Sequence, residues 1–132
     1  MILDVVVLCL ALNGYFEGRS EPIEGQLAIN EVTLKRASIS GRTVCEEVFT
    51  DKQFSWTSTP KPQVTNNKAW QQALFMANAS LTLLTDYAKG ATHYNAIRWK
   101  GKPFPKPRWA LQLCETTRIG NHVFYKACGE LK

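Results

Sequence analysis

With 132 residues, the chain is long enough for one compact core and too short for two comfortable ones. Its 45% apolar and 20% charged residues exclude an intrinsically disordered polymer. A net charge of +5 and an isoelectric point near 9.1 favour polyanionic partners, and nucleic acid, anionic lipid and acidic envelope polymers all qualify.

Residues 2 to 14 read as a buried apolar helix that stops at Gly14. The stretch lacks the basic start and small-residue cleavage pattern of a signal peptide and carries Asp4, so no export signal is expected. Met1 to Leu12 is also shorter than the roughly 20 apolar residues that cross a bilayer, so no stable membrane insertion is expected. Tyr15 to Gln26 then forms a charged join holding Glu17, Arg19, Glu21 and Glu24. Pro22 fits the first position of a second helix, with Glu21 or Ser20 as its N-cap and Glu24 at capping-box distance from Glu21. Ile23, Leu27 and Leu34 share a face, which carries that helix to about Arg36.

From Ala37 to Asn67 the composition is irregular, with one short helical turn expected over Thr43 to Phe49. Trp70, Leu74, Ala77, Leu81 and Leu84 repeat at helical spacing, predicting a helix over Lys68 to Lys89 that ends at Gly90. Ala91 to Trp99 is strand-like, Lys102 to Pro107 is an extended proline-held turn, and two alternating runs around Gly120-Asn121 signal a hairpin. Helices first and a small antiparallel sheet at the C-terminal end predict a single α+β domain over residues 1–132, with no internal repeat.

Cys9, Cys45, Cys114 and Cys128 permit two disulfides by three connectivities, or four buried thiols. Cys114 and Cys128 flank the hairpin and are the pair most easily brought together. There is no Cys-x-x-Cys and no His-Glu-x-x-His, and His93 and His122 are far apart in sequence, so no metal site is expected. A glycine-rich phosphate loop and a Ser-His-Asp order typical of hydrolases are missing too. The cations are scattered apart from Lys100 to Arg108, which reads as a turn, so nucleic acid is not an expected partner.

Chemistry centres on Glu17. Cleaving a glycosidic bond needs a carboxylic acid whose pKa is raised by apolar surroundings, and Tyr15 and Phe16 beside it can supply them. Arg19 acts in the opposite sense unless it pairs with Glu21 or Glu24. By spacing alone, Glu17 reads more readily as a helix-end charge paired with Arg19. Glu24 and Glu31 are candidate second carboxylates, although capping or surface roles suit both.

Five blocks then occur in order: Tyr15-Phe16-Glu17 with Arg19, Glu21-Pro22 and Glu24-Gly25-Gln26; Gln53-Phe54-Ser55-Trp56-Thr57; Gly90-Ala91-Thr92-His93-Tyr94-Asn95-Ala96; Pro107 with Trp109-Ala110; and Thr117 to Tyr125. Together, over residues from about 9 to 126, they resemble the SleB/CwlJ-type cell-wall hydrolases, a group that includes spore cortex-lytic enzymes and phage lysins. Gly18, Ser20 and Asn95 depart from the pattern, the last replacing a second histidine with an amide that does not titrate.

The resemblance implies a mainly helical fold related to lysozyme-like lytic transglycosylases, with Glu17 as the catalytic glutamate. The implied reaction is cleavage of the β-1,4 bond between N-acetylmuramic acid and N-acetylglucosamine, by a lytic transglycosylase or a muramidase. Gln53, Phe54, Ser55, Trp56 and Thr57 would line a sugar cleft with Tyr15, Thr92, His93 and Tyr94. His93 would point opposite to its neighbours on the strand and either bond substrate or brace the loop carrying Glu17, while His122 reads as structural. Relatives of Gram-negative origin suggest that Cys9 and Cys45 are partners. The implied protein is a monomeric phage-type endolysin without cofactor, held in the host cytoplasm until it reaches the periplasm and the peptidoglycan glycan strands. A wall-binding module that kept the fold without catalysis is the alternative.

Overall fold

The computed structural model describes residues 4–18, 20–50, 63–99 and 101–130. Helix α1 (Val5–Gly18) opens with the Asp4 side chain accepting a hydrogen bond from the Val6 N–H (2.8 Å). It does not stop at Gly14. A glycine inside a helix costs about 1 kcal/mol, and burial of Leu10, Ala11 and Tyr15 against Ala73, Leu74 and Ala77 of α4 (Asn67–Thr82) outweighs it. Glu17 therefore stands in the last turn of a helix, where a join had been expected.

Helix α2 (Ile23–Ser40) begins after Pro22 and ends at Gly41, whose φ of 69° is left-handed. It extends past Arg36, and its apolar spacing understates how much of it is interior. Gln26, Asn30 and Thr33 are buried along with Leu27, Ala28, Ile29 and Val32, each polar side chain having a partner. Ile23, expected on the core face, is half exposed. The expected cap at Glu21 is absent, because that side chain is engaged elsewhere. Helix α3 (Val44–Phe49) carries a complete capping box between Thr43 and Glu46. Helix α1 packs against α2, α3 and α4, and α2 also reaches the sheet.

The sequence predicts that α4 continues to Lys89, but it ends at Thr82, leaving Leu84 fully exposed. Glu31 of α2 supplies the reason. Its carboxylate accepts hydrogen bonds from the Thr85 hydroxyl (2.6 Å) and the N–H groups of Tyr87 (3.1 Å) and Ala88 (2.9 Å). Three donors converging on one charged group turn the chain out of the helical path.

Strands β1 (His93–Ala96), β4 (Cys114–Ile119) and β5 (His122–Lys126) form an antiparallel sheet in the order β1-β5-β4. Strands β2 (Arg98–Trp99) and β3 (Lys102–Pro103) make a small hairpin ahead of a 3-10 helix, Arg108–Gln112. Tyr94 lies opposite Phe124, and both join the layer formed by Ala28, Ile29 and Val32 of α2. Val123 and Tyr125 face the other way, against Ala110, Ile97 and Leu113. A bulge at Thr116 directs its hydroxyl to the Ala88 carbonyl (2.7 Å), tying the sheet to the loop that Glu31 holds.

Cys9 is bonded to Cys45, joining α1 to α3, and Cys114 is bonded to Cys128, closing the base of the β4–β5 hairpin. Cross-links over loops of this size contribute about 3–4 kcal/mol by restricting the unfolded chain. No described helix is long and apolar enough to cross a membrane.

Replacing Glu31 with Ala should lower stability by about 2–4 kcal/mol, the cost of stranding three donors. Thermal unfolding checks this: Glu31→Gln should retain part of the loss, and an unchanged melting temperature in Glu31→Ala would show that the 85–88 loop holds without the carboxylate.

Candidate active site

The last turn of α1 meets the inner face of the sheet. Asn13 and Glu17 are four residues apart on α1 and so share a helix face. Asn13 is fully buried and its amide donates to the Thr33 hydroxyl of α2 (3.2 Å) and, at the long limit, to the Tyr94 hydroxyl of β1 (3.5 Å). One side chain thereby spans α1, α2 and the sheet. Gly18 lets α2 approach closely, since a Cβ there would sit 2.7 Å from Ile29 Cδ1.

Glu17 is largely enclosed by protein, and no hydrogen bond or ion pair engages its carboxyl among the described residues. Burial raises its pKa from the ordinary 4.5 to about 7, while the positive charge that His122 carries when protonated pulls the other way. Tyr94 is its other electrostatic neighbour. Burial, and then the Glu17 charge, push the phenol well above its ordinary range, keeping it protonated, while Asn13 and Arg36 act in the opposite sense.

His122 owes its place to Glu21. The His122 Nδ1–H donates to Glu21 Oε1 in a short hydrogen bond, and the same oxygen accepts from the Asn121 N–H (2.9 Å). The Glu21 carbonyl accepts from the Gln26 amide (2.8 Å). Both Glu21 and His122 are buried, so each would be costly without the other. Gly120 makes the approach possible: it has a φ of 56°, and a Cβ there would lie 2.7 Å from Glu21 Oε2. The ring of His122 meets Tyr94 edge-on at 5.6 Å. Glu17, Tyr94 and His122 thus form one cluster, built from α1, β1 and β5.

Several expected site residues lie elsewhere. Tyr15 is buried, and its hydroxyl accepts from the N–H groups of Thr65 (3.1 Å) and Asn66 (3.0 Å), anchoring the start of α4; it has no face to offer a sugar. Glu31 holds the 85–88 loop, with both its oxygens occupied. It lines, with Lys35 and Leu84, a cavity of about 250 Å³ in which Glu17 takes no part. Glu24 is exposed on the first turn of α2. His93 lies on the sheet face away from Tyr94, against Trp109 (5.2 Å), with its Nδ1 sharing a hydrogen bond with the Thr92 hydroxyl (2.9 Å). Burial, and then the Arg36 charge, lower its pKa. It does not brace the segment that carries Glu17. The Thr92 carbonyl accepts from Arg36 (3.3 Å), whose Nε is also paired with the buried Glu47 (3.3 Å). Gln53, Phe54, Ser55, Trp56 and Thr57 lie outside the described residues, as does Arg19.

Asn13, Glu21 and His122 were not singled out for chemistry by the sequence. The signals were the four-residue steps from Asn13 to Glu17 and from Glu17 to Glu21, and the histidine directly after the hairpin turn. Among the described residues, no group of three His, Cys, Asp or Glu side chains could hold a metal ion.

The cell wall hydrolase family matches residues 20–125. That span starts just after Glu17 and includes both halves of the Glu21–His122 pair. No curated protein sequence matches the chain at a significant level. Among solved structures, the chain is similar to the catalytic domain of the Bacillus cereus SleB protein, with a TM-score of 0.66 and 22% identity over 95% of this chain and 93% of that one. The fold is thus the α+β arrangement of that catalytic domain. With the family match covering most of its length, the chain belongs to the cell wall hydrolase family, which together with the fold supports peptidoglycan degradation.

Proposed function

We propose that the protein cleaves the glycan strands of peptidoglycan at the β-1,4 bond between N-acetylmuramic acid and N-acetylglucosamine, with Glu17 as general acid and then general base. The observation that carries this reading is the pKa of Glu17, raised by burial to about 7, at the end of a helix in a chain of the cell wall hydrolase family. A carboxyl that is half protonated near neutral pH can hand its proton to the bridging oxygen and accept one afterwards.

A lytic transglycosylase route fits best. Glu17 protonates the leaving oxygen as the glycosidic C–O bond breaks. The N-acetyl group of the muramic acid supports the cationic sugar carbon. The Glu17 carboxylate then takes the proton from the sugar's own O6 as that oxygen bonds to the same carbon, giving a 1,6-anhydro end and restoring the acid. The usual hydrolytic scheme needs a second free carboxylate across the bond. Glu21 is paired with His122, Glu31 is committed to its loop and Glu24 is exposed, so none of these three suits that role. The protonated Tyr94 phenol and the Glu21-held imidazole flank the acid and suit orientation of the sugar.

The site of action in this reading is the wall itself, reached after release from the cytoplasm in the manner of a phage endolysin. Two disulfides accord with an oxidising compartment there.

Glu17→Gln should fold and bind purified walls yet release no soluble fragments; turbidity loss at the parent rate would refute the assignment. Mass spectrometry of the products from the parent protein separates the two chemistries. Anhydro ends, lighter by one water than reducing ends, are expected, and reducing ends would establish a muramidase.

The raised pKa also sets two pH dependences. Cleavage should fall as pH rises through about 7, because the acid form is lost. His122→Gln should move that fall to higher pH, since the electrostatic contribution of His122 acts to lower the Glu17 pKa. For stability, the folded-state pKa of about 7 exceeds the ordinary 4.5, so the folded protein binds the extra proton between these values. That contribution is complete below the unfolded value and is lost as pH rises through the folded one, by at most about 3 kcal/mol. Glu17→Gln should flatten this part of the stability profile measured by denaturant titration between pH 4.5 and about 7; an unchanged slope would mean that Glu17 titrates normally.

A further inference from the structure

The described residues between β2 and the 3-10 helix project from the sheet on the side away from Tyr94 and Glu17. Its anchors are the Phe104 N–H donating to the Ile97 carbonyl (2.8 Å) and Trp109 packed edge-on against Tyr125 (5.5 Å) and beside His93 (5.2 Å). Pro103, Pro105 and Pro107 stiffen it. Arg98, Lys102, Lys106 and Arg108 are all exposed on it, and none takes part in an ion pair among the described residues. Lys106 sits over the Tyr125 ring (5.8 Å to its centroid). The acidic residue within its electrostatic reach, Glu115, is already paired with Arg118 (2.8 Å). Phe104 and Trp109 remain 51% and 39% exposed in the same stretch.

Unneutralised cations interleaved with open aromatic faces on a stiff arm make a surface for a polymer bearing both carboxylates and sugar rings. We infer that the arm presenting Arg98, Lys102, Phe104, Lys106, Arg108 and Trp109 is a docking surface for the carboxylate-bearing stem peptides of peptidoglycan, separate from the Glu17 cluster and on the opposite side of the sheet. The inference rests on the wall reading proposed above and adds to it a second contact through charge. Such an arm would hold the enzyme on the wall between cleavage events without touching the reacting bond. Nucleic acid has the charge but lacks the peptide carboxylates, which lets an experiment separate the two.

Co-sedimentation with purified sacculi tests this, in the Glu17→Gln background so that the wall stays intact. R98Q/K102Q/K106Q/R108Q should weaken binding on the order of tenfold, the sum of four individually weak exposed contacts. Sacculi stripped of their stems by an amidase should bind the unaltered arm as weakly as the altered one. Equal binding of both proteins to intact sacculi would overturn the inference, as would full affinity for stripped glycan. Equal affinity for short duplex DNA at the same salt would also overturn it, by making the arm a general polyanion site. Should the quadruple variant fail to fold, the salt dependence of the Glu17→Gln protein alone decides: binding that weakens steeply with salt supports the arm, and binding indifferent to salt removes it. Fragment release by the parent protein reads out the catalytic proposal independently of all these binding results.

Discussion

The contact between Glu21 and His122 joins the two halves of this molecule, and the geometry around Glu17 follows from it. Glu21 follows the end of the first helix and His122 opens the last strand, a hundred and one residues apart. A carboxylate and an imidazole buried at one spot must satisfy each other, because either one alone would carry an uncompensated desolvation cost of several kcal/mol. Their pairing pins the β4–β5 hairpin against the start of α2 and leaves the imidazole within electrostatic reach of Glu17. The glycine at the hairpin turn is part of the same contact, since any side chain there would occupy the place of the Glu21 carboxylate.

A division of labour among the carboxylates follows. Glu47 is buried and neutralised by Arg36 and Arg42, which fastens α2 to α3. Glu31 gathers three donors and shapes the exit from α4. Glu21 fixes the hairpin. Each of these is engaged by cations or hydrogen-bond donors, as buried carboxylates generally are. Glu17 differs in being enclosed without such compensation among the described residues, and that difference moves its proton affinity into the neutral range. The contrast within one small protein is a stronger argument for chemistry at Glu17 than its burial alone.

Asn13 and Tyr94 complete the setting. The helix that carries Glu17 must be held in one rotational position for the carboxyl to face the sheet, and the buried Asn13 amide, one turn earlier, reaches both Thr33 and Tyr94. The apolar layer of Ala28, Ile29, Val32 and Phe124 behind Tyr94 excludes water from that side. Low polarity on one side and the nearby His122 ring on the other act in opposite senses at Glu17, with burial the larger.

Much was legible in the residues themselves. Apolar spacing located the helices, Gly120-Asn121 located the hairpin, and the succession of helices then strands marked an α+β fold, because each depends on neighbours within a few positions. The Glu17 motif was legible as well. Local signals failed where a distant group overrode them. Gly14 did not end α1 because α4 buries the far side of the helix, α4 ended early because Glu31 captured the loop beyond it, and Glu21 left its capping position for a histidine on the last strand. Tyr15 likewise stands beside Glu17 in sequence yet points into the core. The linear chain by itself determined which segments coil, which extend and which glutamate to examine. Only tertiary structure decided which carboxylates are compensated among the described residues, because compensation is a matter of partners brought together from opposite ends of the chain.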